Sequence, residues 1–169
     1  MPSSAAYRHR FGSLARAYQL VDYLPDRDFA YIEINRRLRQ LYPGIVGAVV
    51  LALEQHGGTV TRDPATDLLL LNGMLSISLV IARCQVTQAD ALRWSIRLDT
   101  GLAPDLTIVV RMDSPNLAPL DYYVLPSLDV RAARLRIKED NGLFLDGYRY
   151  ESLEHFFGIA QTVRAGAAA

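Results

Sequence analysis

Cysteine, histidine and lysine are nearly missing from this chain of 169 residues. A lone thiol, Cys84, cannot close an internal disulfide, and a cysteine-based metal cluster is excluded. Its place at the end of an apolar stretch reads as buried and inert. His9, His56 and His155 lie far apart, and none has a second histidine at metal-ligand spacing. There is no GxSxG elbow and no glycine-rich phosphate loop, because Gly57 and Gly58 read as a helix stop. Every apolar run is broken by Arg, Asp or Asn before the roughly 18 residues of a membrane span. The opening MPSSAAYRHR lacks the apolar segment of a secretory signal. These absences point to a reducing cytoplasm, no membrane partner and no cofactor.

Net charge is also missing: 18 basic residues balance 18 acidic ones. Bulk electrostatics therefore gives no argument for nucleic acid. The distribution says more. Lys138 is the single lysine, and every other cation is arginine. Arg8, Arg10 and Arg16 fall close together, and Arg36, Arg37 and Arg39 closer still. Arginine forks contact phosphate in a planar, two-point manner that lysine cannot match. A compositional bias of the genome would produce the same excess of arginine.

Half of the residues are apolar, enough for one domain with a proper core. The first two dozen residues have helical spacing, with Ser3 or Ser4 and then Ser13 as caps. Phe29 to Leu41 continues in that spacing, although Tyr31 to Ile34 would also suit an extended stretch. Pro43 is placed to begin a new helix that Gly57 and Gly58 close. Beyond Gly58 the period becomes that of strands. TVTRD and DLLLL flank a DPAT turn, and Asn72-Gly73 is a hairpin signal. One long strand, LSISLVIARC, follows, then LRWSIRLD, a continuously apolar DLTIVVRMD and DYYVLP. In the last of these, one of Tyr122 and Tyr123 must turn away from the core. RAARLRIKEDNG is ambiguous, and YESLEHFFGIAQTVRAG reads as a closing amphipathic helix. The expected plan is α+β: N-terminal helices, a five- or six-stranded mainly antiparallel or mixed sheet covered by a helix, and a C-terminal helix. Residues 1–24 form a partial helix-turn-helix-like segment in this reading, 25–165 the α+β domain and 166–169 a frayed tail.

Phosphodiester hydrolysis commonly uses carboxylates around a divalent metal. Glu54, Asp63 and Asp67 are the candidates, with Arg83 or Gln85 standing in for missing partners. The competing reading is that Asp63 and Asp67 bracket a turn, where Asp is favoured for local hydrogen bonds. Magnesium enters only if the first reading holds.

Two family resemblances sharpen this picture. Pro2, Ser3, Tyr7, Arg8, Arg10, Phe11, Gly12, Ser13 and Ala17 resemble a small helical DNA-binding repeat of homing-endonuclease-associated and recombinase-linked proteins. The resemblance implies that Ser3, Ser4, Tyr7, Arg8 and Arg10 face DNA, with Arg16 alongside. It also implies one more helix upstream, so the chain is expected to be the C-terminal part of a longer protein. Residues 44–130, ending in DYYVLPSLDV, are similar in element order to restriction-endonuclease-like domains. The catalytic pattern of those domains puts an acid where Asp67 stands, then an acid or Gln and a Lys on the following strand. Here those last two positions fall on Ile81 and Arg83. Isoleucine cannot bind metal, and arginine is too basic to exchange protons near neutral pH.

Taken together, the residues and resemblances imply a non-catalytic DNA-associated module, from the C-terminal region of a recombinase-like or regulatory protein. Arg36, Arg37 and Arg39 are added to its DNA-contacting set. The alternatives are a metal-dependent endonuclease, and a protein-interaction domain that docks a partner or a second copy through a sheet edge or the Tyr122-Tyr123 face.

Overall fold

A computed structural model of the chain describes residues 9–10, 12, 20, 30–98 and 101–166. The chain divides into two compact units, Met1–Arg37 and Leu38–Ala169. The first long element among the described residues is helix α1, Ala30–Gln55. Its buried positions Leu38, Val46, Val49 and Leu53 recur at three, four and eight residues, the spacing of one helical face.

Among the described residues, nine strands follow, in two sheets. The larger contains β1 (Val60–Arg62), β2 (Leu69–Leu71), β3 (Leu75–Ala82), β6 (Leu106–Met112), β7 (Pro119–Pro126) and β9 (Arg149–Tyr150), in the order β1-β2-β3-β6-β7-β9. The smaller contains β4 (Cys84–Val86), β5 (Leu92–Arg97) and β8 (Arg134–Ile137), in the order β4-β5-β8. Among the described residues all pairings are antiparallel except β3 with β6, which makes the six-stranded sheet mixed. Short helices α2 (Leu143–Asp146), α3 (Glu154–Phe157) and α4 (Ile159–Gly166) complete the fold. The class is α+β.

Strand β6 is buried on both faces, as its unbroken apolar sequence requires. Register separates the two faces. Ile77, Leu79 and Ile81 of β3 share one with Leu106, Ile108 and Val110 of β6. The backbone of Leu53 in α1, Leu71 of β2 and Ala160 of α4 all converge on Gly58. The opposite face carries Ala82, Val109, Tyr123 and Leu125, which pack with Cys84, Trp94, Ile96 and Ile137 of the small sheet and with Leu145.

Several sequence expectations need correction. Pro43 does not start a helix; it lies inside α1 and removes one backbone donor from it. Residues 31–34, read as helical with an extended stretch as the alternative, are helical. The long strand expected across LSISLVIARC breaks at Arg83, where the chain crosses from one sheet to the other. Asn116 fixes that crossing: its Oδ1 accepts from the Cys84 N–H at 2.7 Å, and its Nδ2 donates to the Cys84 carbonyl at 3.1 Å. The six-stranded sheet is mixed, within the expected plan, through its parallel β3–β6 pair; the separate three-stranded sheet lies outside that plan. RAARLRIK contains the strand β8. The closing helix is divided at Gly158 into α3 and α4.

Candidate functional site

The acidic corner is organised around Asp67, just ahead of β2 and in the left-handed region at φ 64°. Continuing the β2–β3 register by two residues sets Asp67 opposite Leu79. Tyr42 of α1 touches both sides of this corner. Its hydroxyl donates to Asp67 Oδ2 at 2.7 Å and lies 3.4 Å from the Leu79 carbonyl. Arg62 Nε donates to the other carboxylate oxygen at 2.5 Å. The hydrogen bond from Arg62 is the main cause holding the Asp67 carboxyl below its usual range. Burial, then the bond to Asp67, pushes the Tyr42 hydroxyl up to about 12. Both groups therefore keep their charge states across neutral pH.

Asp63 faces a different task. Its carboxylate accepts from the Ala65 N–H at 2.9 Å and the Thr66 hydroxyl at 2.7 Å, and its carbonyl accepts from the Asp67 N–H. These are turn-forming bonds, and they lower its pKa, the Thr66 hydroxyl foremost. Glu54 is exposed near the end of α1. Arg83 is half-buried at the crossing between sheets, and Gln85 is exposed on β4. Among the described residues, no three His, Cys, Asp or Glu side chains come together in a group able to hold a metal ion. The strand residues facing Asp67 are aliphatic: Leu79, and Ile81 two positions on.

Of the arginines and neighbours assigned to DNA, Ser3, Ser4, Tyr7, Arg8 and Arg16 lie outside the described residues. Arg10 is exposed. Arg36, Arg37 and Arg39 are exposed on α1, and no ion pair with them occurs among the described residues. His56 Nδ1 donates to the Ala52 carbonyl of the preceding helix at 2.8 Å, and His9 and His155 are exposed. Cys84 is buried, and burial raises its thiol pKa. In the β7 pair, Tyr123 is fully buried and Tyr122 half-buried.

Sequence reading did not connect Tyr42 or Arg62 to Asp67, since neither periodicity nor a motif links residues 25 and 5 positions away. It also missed a buried polar cluster. Arg111 of β6 donates to Asp121 of β7 at 2.6 Å and to the Lys138 carbonyl at 2.6 Å, while Arg149 of β9 donates to the same carboxylate at 2.8 Å. All of these donors are satisfied, so the cluster is structural in its chemistry.

The chain matches no protein-family description and no curated protein. Among solved structures it is similar to a bacterial homing endonuclease, at a TM-score of 0.44 and 16% identity, covering 72% of this chain and 88% of that one. At that identity no residue role passes from one chain to the other. Among the described residues, no helix is long and apolar enough to cross a membrane.

Proposed function

We propose that this protein is a DNA-associated module that does not cut DNA, of the recombinase-like or regulatory kind. The observation that carries the reading is the run of Arg36, Arg37 and Arg39, exposed on α1 without an acidic partner among the described residues. Guanidinium groups left to solvent in this way are available to phosphate oxygens. The N-terminal resemblance supports the same reading and adds Ser3, Ser4, Tyr7, Arg8, Arg10 and Arg16 to the contacting set. Against catalysis stands the occupation of the acidic corner. Both oxygens of Asp67 are taken by Tyr42 and Arg62, Asp63 is committed to its turn, and the facing strand supplies Leu79 and Ile81.

The test is electrophoretic mobility of a DNA duplex at low salt, together with plasmid incubated with Mg²⁺ or Mn²⁺. The reading expects a retarded duplex and intact plasmid. Unaltered mobility at micromolar protein would sink the DNA association. Nicking that disappears in Asp67→Ala would replace it with the endonuclease.

A further inference from the structure

The small sheet has a second face that no sequence motif announced. Alternation turns Trp94, Ile96 and Ile137 inward, where they join the core between the sheets. The opposite set is Arg93, Ser95 and Arg97 on β5, with Arg134 and Arg136 on β8. Lys138 continues the same alternation, and Gln85 of β4 pairs in register with Arg93. Arg93 is half-buried and the others are exposed. This face carries cations and neutral polar groups, and no acid among the described residues. The acids nearest in sequence lie beyond the strand ends. Asp90 is in the β4–β5 turn, Asp99 lies outside the described residues, and Glu139 and Asp140 follow β8 and face the backbone N–H groups of Leu92 and Gly142.

Two bland explanations fall short. Positive charge on an edge strand prevents edge-to-edge association, and that would account for β8. It does not account for Arg93 and Arg97, because β5 is the middle strand. Internal ion pairing fails too: no salt bridge involves Arg97, Arg134, Arg136 or Lys138 among the described residues. Arg97 and Arg134 are in fact direct cross-strand partners, an arrangement of like charges that costs stability.

We infer that this outer face binds the phosphate backbone of duplex DNA, an inference that rests on the DNA-associated reading above and gives it a surface. Alternate residues on a strand stand about 7 Å apart, so Arg134, Arg136 and Lys138 form a regular row of cations, with Arg93 and Arg97 beside it. Such a row meets successive phosphates without reading bases. The outward positions of β5 and β8 include no aromatic ring, so the face has no platform for unstacked bases and favours a duplex over a single strand.

The experiment measures binding of the full chain to a short random-sequence DNA duplex across a salt series. The combined R97Q, R134Q and R136Q variant is compared with combined R36Q, R37Q and R39Q. The sheet variant is expected to weaken binding at least tenfold and to reduce the slope of log K against log salt by about 2 to 3, near 0.9 for each phosphate left without its cation. Lysine at the same three positions should restore the slope, which a folding defect would not allow. If the native protein binds and the sheet variant binds equally well, the sheet assignment is wrong while the DNA-associated reading survives. If the native protein binds no duplex, both fail. Tighter binding to single-stranded RNA than to the duplex also overturns the assignment.

Discussion

The guanidinium of Arg111 lies 4.2 Å from the centre of the Trp94 ring, although Arg111 belongs to the six-stranded sheet and Trp94 to the three-stranded one. This is one of several interactions that lock the two sheets face to face. Trp94 Nε1 donates to the Met112 carbonyl at 2.8 Å, and Arg111 donates to the carbonyl of Lys138, just past β8, at 2.6 Å. Arg111 is almost wholly buried, so it depends on Asp121 for its counter-charge.

Removing that counter-charge should be costly. Asp121→Asn strands a buried guanidinium, and loss of one partner of a buried pair costs about 3–5 kcal/mol. The urea midpoint should fall accordingly. Arg149→Gln, at the 39% exposed end of the same carboxylate, should cost under about 1 kcal/mol. Equal midpoints for the two variants would contradict this ranking.

Acid should loosen the fold over a defined range. Burial opposes the Asp146 charge, but the Tyr123 hydroxyl and the N–H groups of Asn141 outweigh it and hold the carboxyl down to about 2. An unfolded Asp titrates near about 3.9. With the folded value depressed, this stabilisation is complete above roughly pH 4 and is lost as pH falls through about 2. Asp67 and Asp105 are lowered as well, chiefly by hydrogen bonds from Arg62 and Ser76, and they act in the same direction. Chemical denaturation from pH 5 down to pH 2 should show the decline, with a shallower one in Asp146→Asn.

Gly58 is tightly enclosed. A Cβ there would lie 2.7 Å from Leu71 Cδ1, 3.0 Å from the Leu53 carbonyl and 3.1 Å from Ala160 Cβ. Gly58→Ala should therefore destabilise by about 1–3 kcal/mol, as overpacking does. Its neighbour Gly57 has open space but φ 85°, so Gly57→Ala should lose stability through backbone strain instead. Rescue by Leu71→Val in the Gly58 variant, and none in the Gly57 variant, would separate the two causes.

The Cys84 thiol should resist labelling in the native protein. It is buried, with its pKa raised chiefly by desolvation. A thiol reagent should modify it only in denaturant. Prompt reaction under native conditions would show that β4 opens readily.

Much of the fold was legible because it rests on local chemistry. Asn72 and Gly73 both adopt positive φ in the hairpin turn, and the unbroken apolar run of β6 is buried on both faces. The crossing at Arg83 was not legible, since the side chain that fixes it, Asn116, lies 32 residues from Cys84. Pro43 misled because its helix-starting preference is only statistical, and an exposed site within a long helix tolerates the lost bond. For the candidate site, Asp67 stood out in the sequence, but its partners Tyr42 and Arg62 emerged only in three dimensions. The basic sheet face did leave a trace. Arg134, Arg136 and Lys138 alternate with Leu135 and Ile137, a period of two written in charge rather than in apolar residues.

The parallel β3–β6 joint also bears on how quickly the chain reaches its native state. Hairpin pairing assembles β1–β3 and β6–β7 from neighbouring segments, whereas β3 and β6 meet only after residues 83–105 have looped back. Closing that loop costs entropy before any pairing repays it. Weakening the joint with Val109→Ala should slow refolding in stopped-flow traces more than weakening the β1–β2 ribbon with Val60→Ala, because the ribbon can zip after the rate-limiting encounter.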